Sequence, residues 1–101
     1  MASERPRRPR RGSRTMFQAV YVGTIWVPRR RGRYLYVFVR DVRDMAGDAV
    51  CALGIVRQTD ALQALSLRQN DVFTFEARYM RGAEDTHEFR DVAHVRPGGA
   101  V

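Results

Sequence analysis

Aromatic and aliphatic side chains alternate over residues 34–40, and this pattern is the clearest chemical signal in the chain. The residues of one parity are aromatic or basic: Tyr34, Tyr36, Phe38 and Arg40. The residues of the other parity are aliphatic: Leu35, Val37 and Val39. In a β-strand, side chains of one parity line one face at intervals of about 6–7 Å. Flat rings at that spacing suit the stacking of successive nucleobases, which contributes ~1–3 kcal/mol per base.

A cluster of arginines lies directly before this stretch: Arg29, Arg30, Arg31 and Arg33. Guanidinium groups keep their charge, bind phosphate oxygens in a forked geometry and stack on bases. Trp26, a little upstream, adds another ring. Basic groups beside a row of rings favour binding of single-stranded DNA or RNA with low sequence specificity. Such a cluster is also often only a solvated hairpin tip, and both interpretations stay open.

The buried face of this strand decides between the alternatives. The aliphatic row is a complete core face by itself, which would leave the rings and Arg40 facing outwards. In the opposite register, Tyr34, Tyr36 and Phe38 would fill the interior instead. Outward rings also suit a protein partner or a second copy of the chain, so a protein-interaction or oligomerisation module is the alternative function. An oligosaccharide ligand is a third, favoured by Trp26 and the tyrosines.

No catalytic or metal-binding pattern is apparent among the remaining reactive residues. His87 and His94 are seven apart, with no serine or cysteine placed beside either by a known motif. Cys51 lies in an apolar run, where cysteine is usually a small buried residue. The acidic stretch DVRDMAGD lacks the spacing of a calcium loop, and its carboxylates are expected to pair with Arg40 and Arg43. We therefore expect no enzyme activity, no metal and no cofactor.

The elements that position these residues follow from runs of β-branched and aromatic residues separated by turn residues. Three strands are predicted first, over residues 17–27, 33–42 and 49–56. The segment TDALQALSLRQ, residues 59–69, predicts a short helix with Thr59 or Asp60 as its N-cap. Two further strands are predicted over residues 72–80 and 87–95. The first of these alternates strictly, with Phe73, Phe75, Ala77 and Tyr79 on one face.

Three strands, a helix and two strands over residues 16–96 predict an all-β, five-stranded OB-fold-like Greek-key barrel. Gly23 marks the bend that such a barrel needs in its long first strand. The phrase LQALSLRQNDVFTFEARYMRG resembles the passage from helix to fourth strand in OB-fold domains of the single-stranded nucleic-acid-binding type. Those domains often have Gly-Asp where this chain has Asn70-Asp71, and Asn tolerates the same left-handed backbone. The resemblance implies a ligand face on the second and third strands, for single-stranded nucleic acid, oligosaccharide or protein.

Composition bounds the rest of the interpretation. The 101 residues include 18 basic and 11 acidic side chains, for a net charge of +7, and all the basic ones are arginine. GC-rich codon usage also produces such a preference. Residues 1–15 hold six of these arginines with prolines and predict a disordered tail, and residues 97–101 predict a flexible end. One cysteine, no apolar run of ~20 residues and no cleavage signal favour a cytoplasmic protein without membrane contact.

Overall fold

The computed structural model describes residues 14–82 and 86–99, which form five strands and one short helix. The elements are β1 (Thr15–Arg29), β2 (Gly32–Asp44), β3 (Ala49–Arg57), α1 (Asp60–Ala64), β4 (Val72–Arg81) and β5 (His87–Pro97). The predicted all-β class and the element order are confirmed. Residues 1–13 of the predicted tail and residues 100–101 of the predicted end lie outside the described residues.

The five strands close into a barrel in the order β1-β2-β3-β5-β4. Neighbouring strands are antiparallel except β3 and β5, whose described parallel pairs are Ile55 with Glu88 and Val56 with Phe89. This short β3–β5 seam closes the barrel. A closed five-stranded barrel with one short helix is consistent with an OB-like fold.

Side chains of alternate parity fill the barrel interior. On β4, Phe73, Phe75 and Ala77 share one face, as predicted, and are fully buried, whereas Tyr79 reaches solvent at the end of the row. On β2, Val37 and Val39 belong to the core, so the aliphatic parity is the one that faces the barrel interior. The positive φ of Asp41, 52°, interrupts the alternation there. The remaining core residues are Phe17, Ala19, Val42, Val56, Leu62 and Phe89.

Local turn chemistry explains how the chain passes between elements. The β1–β2 register shifts between Tyr21 and Gly23, which agrees with the bend predicted at Gly23. Thr59 is the N-cap of α1, and its hydroxyl accepts a hydrogen bond from the Leu62 N–H at 3.1 Å. The helix is shorter than the predicted segment because the backbone turns left-handed at Ser66, where φ is 52°. Among the described residues, no helix has the length and apolar character to cross a membrane.

Candidate nucleic-acid interface

The β1–β2 hairpin extends beyond the barrel wall. β1 pairs with β4 from Thr15 to Val20 only, but its pairing with β2 continues to Arg29 opposite Gly32. The turn itself consists of two exposed arginines, Arg30 and Arg31. The predicted break over residues 28–32 is therefore too long. Of the arginine cluster, Arg29 and Arg33 belong to strands and not to a loop.

The register of β1, β2 and β3 defines an outer sheet face, on the side away from the core. Residues opposite one another in an antiparallel pair point to the same side of the sheet. Tyr36 lies opposite both Ile25 and Arg57, and Phe38 lies opposite both Gly23 and Ile55. The outer sheet face thus includes Gly23, Ile25, Val27, Arg29, Tyr34, Tyr36, Phe38, Arg40, Leu53, Ile55 and Arg57.

Tyr36 faces outwards, as its parity requires, but it is not exposed. Its relative accessibility is 1%. The guanidinium of Arg29 covers the ring at 5.2 Å from its centroid and donates a hydrogen bond to the hydroxyl oxygen at 3.2 Å. The Tyr36 hydroxyl in turn donates to Glu88 Oε2 at 3.0 Å. The predicted row of three accessible rings is therefore wrong at its central member, and Tyr34 and Phe38 are half-buried.

Glu88 organises this part of the outer surface. Its carboxylate accepts hydrogen bonds from Arg29 at 2.9 Å, from Arg90 at 2.6 Å and from Tyr36. Partial burial alone would raise the pKa of Glu88. The hydrogen bonds from Arg90 and Tyr36 and the charge of Arg29 outweigh that effect, so the pKa lies below its ordinary value. The network fixes Arg29 over Tyr36 and joins β1, β2 and β5.

The depressed pKa of Glu88 predicts an acid-sensitive contribution to stability. A carboxylate whose charged form is favoured by its contacts in the folded state stabilises the fold at pH values above its pKa in the unfolded chain, ~4.3. This contribution disappears as the pH falls through the lower pKa of the folded state. We expect Glu88→Gln to lower the free energy of unfolding by about 1 kcal/mol at pH 7. The difference from the native protein should vanish near pH 2 in thermal unfolding followed by circular dichroism. Equal stability of the two proteins at pH 7 would contradict the role assigned to Glu88.

Two other arginines stack on aromatic rings that remain partly accessible. Arg57 lies 4.3 Å from the ring centroid of Tyr34 on the outer sheet face. Arg33 lies 5.5 Å from that of Trp26, which is 57% exposed. Trp26 is opposite Leu35, so the Trp26–Arg33 pair occupies the reverse side of the protruding hairpin. The structure therefore brings Tyr34 and Phe38 to one side and places Trp26 on the other.

Arg57 is a residue of the candidate interface that sequence reasoning missed. Its parity on β3 matches that of Ile55, but nothing local shows that β3 places it diagonally across from Tyr34. Arg40 is on the outer sheet face as predicted, where it forms an ion pair with Asp41 and donates to Asn70 Oδ1 at 3.1 Å. The Arg40 guanidinium group therefore already has two partners within the chain.

The residues considered for catalysis have separate structural partners. Cys51 packs half-buried against the core, and burial raises its pKa to about 11, so the thiol is protonated at neutral pH. The Tyr79 hydroxyl and His87 Nδ1 are 2.6 Å apart, and His94 Nδ1 is 2.9 Å from Glu76 Oε1. Within residues 14–82 and 86–99, no group of three or more histidine, cysteine or acidic side chains has a metal-binding arrangement.

Charge is mainly positive on the candidate interface, which comprises the outer sheet face, the protruding hairpin and the Glu88 network. The arginines there are Arg29, Arg30, Arg31, Arg33, Arg40, Arg57 and Arg90, and the acidic residues in contact with them include Glu88 and Asp41.

Comparison of the chain with protein-family models, curated proteins and solved structures finds no match. The geometry and charge of this surface therefore carry the functional argument.

Proposed function

We propose that the protein binds single-stranded DNA or RNA with low sequence specificity, through the outer sheet face and the protruding hairpin of an OB-fold-type barrel. The observation that carries this proposal is the pairing of Arg57 with Tyr34 and of Arg33 with Trp26 beside the two-arginine turn. An arginine stacked on a ring still has N–H groups at its edge to donate to phosphate oxygens. The ring face away from the guanidinium can accept a base.

The positions of these groups suggest how a strand would be bound. Phosphates contact Arg30, Arg31 and Arg33, which provide affinity that depends on salt. Bases stack on Tyr34 and Phe38 along the outer sheet face. Gly23 lies opposite Phe38, and a Cβ atom added to Gly23 would have no atom within 4 Å, so space remains open beside this phenylalanine. Stacking accepts every base because each has a π-face, which accounts for the low specificity.

Fluorescence anisotropy with labelled oligo-dT and oligo-rU over a salt series tests the proposal. Loss of one stacking ring removes ~1–3 kcal/mol, so Tyr34→Ala and Phe38→Ala should each weaken binding by about 5- to 150-fold. Met45→Ala is the matched control, since Met45 is 48% exposed in the β2–β3 turn and lies outside the interface. No binding at low salt, or equal losses in all three variants, would refute the proposal.

A protein partner is the second candidate, and two exposed aliphatic residues favour it. Ile25 is 45% exposed and Leu53 is 54% exposed on the outer sheet face, near Phe38. Aliphatic side chains offer a nucleic acid little, whereas an apolar patch is typical of a protein contact. The same titrations separate the candidates: Leu53→Lys adds a charge that should strengthen oligonucleotide binding and weaken an apolar contact.

A further inference from the structure

The protruding part of β1 has an unpaired edge. The last β1 residue that pairs with β4 is Val20. The Tyr21 N–H donates to the Asp71 carbonyl, and the Tyr21 carbonyl accepts from the Asn70 N–H, both at 2.8 Å. Beyond Tyr21, β1 pairs with β2 on one side, and no strand or loop among the described residues pairs with its other side. Backbone N–H and C=O groups there are available to another strand.

The composition of this edge favours pairing. Natural edge strands are usually protected by charged residues, by proline or by a bulge. Here the register shift before Gly23 precedes the free segment and Pro28 ends it. Between them, residues 23–27 read GTIWV, which is uncharged and rich in β-branched and aromatic residues. Ile25 and Trp26, both exposed, belong to this segment.

We propose that a second copy of this chain pairs its own β1 antiparallel with this edge, forming a symmetric dimer. A two-fold axis requires that residues opposite one another have the same parity, so each face of the strand meets the same face of the other copy. With Ile25 opposite Ile25 of the second copy, Gly23 lies opposite Val27 and Thr24 opposite Trp26. Small residues then face large ones, and both exposed apolar side chains lose contact with water.

Repulsion between arginines favours antiparallel over parallel pairing of the two β1 strands. The arginine turn, Arg30 and Arg31, follows the free segment closely. Parallel pairing would place the two turns side by side, where like charges repel. Antiparallel pairing centred on Ile25 separates the two Arg30 residues by ten positions, about 33 Å at the rise of a β-strand. That is several times the Debye length of ~8 Å at physiological salt, so the turns do not oppose association.

The expected dimer is reversible. A single pair of short strands with few apolar side chains buries an area below the ~1,200 Å² typical of stable complexes, so we expect dissociation in the micromolar range. Sedimentation equilibrium from about 1 to 500 µM, without oligonucleotide, should show a shift from one chain mass to two. Because no nucleic acid is present, the result is independent of the proposed function.

Matched variants locate the contact. Ile25→Lys should leave the protein monomeric at all these concentrations. Leu53→Lys should still dimerise, because Leu53 is also exposed on the outer sheet face but does not lie on β1. In a Cys51→Ser background, Ile25→Cys should form a disulfide-linked dimer on mild oxidation, since facing residues have Cβ atoms about 4.5–5.5 Å apart. Leu53→Cys should not. A native protein that stays monomeric at every concentration would overturn the proposal and make an extended peptide the candidate partner of this edge. A dimer that is lost in Leu53→Lys and kept in Ile25→Lys would also overturn it.

Discussion

Replacing Phe89 with alanine is expected to lower the free energy of unfolding by about 3–5 kcal/mol, the usual cost of removing a fully buried phenylalanine. The Phe89 side chain is completely buried. Its ring centroid lies 4.9 Å from that of Phe17, 5.2 Å from that of Tyr79 and 5.5 Å from that of Phe75. Phe89 also pairs with Val56 in the β3–β5 seam, so the cavity would open where the barrel closes. The total free energy of unfolding of a domain is ~5–15 kcal/mol, so this loss is a large fraction of the stability.

Urea denaturation followed by circular dichroism measures the change. Phe89→Leu, which keeps most of the volume, should cost less than about 1.5 kcal/mol and serves as the control. The thermal midpoint of Phe89→Ala should fall by about 12 °C or more, given ~4–8 °C per kcal/mol for a domain of this size. A loss no larger than that of Phe89→Leu would mean that the seam does not depend on this ring.

Gly54 shows how closely the seam is packed. A Cβ added there would lie 3.0 Å from Phe89 Cε2 and 3.3 Å from the His87 carbonyl oxygen. The neighbouring backbone leaves little freedom to adjust, so glycine permits β3 and β5 to approach. The ring of Phe89 covers the space that Gly54 leaves free, which links the two residues across the seam.

Local patterns in the sequence predict the elements because their causes are local. The alternation of Phe73, Phe75 and Ala77 follows from the two-residue period of a strand, and the structure confirms it. Thr59 caps α1 through its own hydroxyl, and Asn70 has a φ of 76°, the left-handed backbone expected from the residue type. Each of these outcomes depends on contacts within a few residues of chain.

The candidate site is harder to predict because its contacts are distant in sequence. Tyr36 has the parity of an outward residue, yet it is buried by Arg29 and by Glu88, which is 52 residues away. Glu88 reaches Tyr36 because β5 lies beside β3 in the closed barrel. Likewise Arg57 stacks on Tyr34 only through the β2–β3 register. Strand periodicity assigns a side of the sheet, and the accessibility of that side depends on what other strands place there.

The largest functional effect is expected from the triple variant Arg30→Gln, Arg31→Gln, Arg33→Gln. If each arginine neutralises one phosphate, the slope of log K against log salt should become less negative by about 2, because each phosphate contact with a single strand contributes ~0.7 to the slope. The same relation gives about 100-fold weaker binding at 0.1 M salt, since three contacts contribute about 2 logarithmic units between 0.1 and 1 M. Arg29 is retained because it belongs to the Glu88 network.

A charge-matched control decides whether position or total charge is responsible. Arg43→Gln, Arg68→Gln and Arg96→Gln together remove the same three charges from exposed residues outside the interface. This control should keep the slope of the native protein within about 0.5, because counterions are released only where phosphates are bound. If both triple variants flatten the slope equally, the attraction comes from net charge alone, and the hairpin has no special part in binding. If only the interface triple does so, the arginine turn lies against the phosphate backbone.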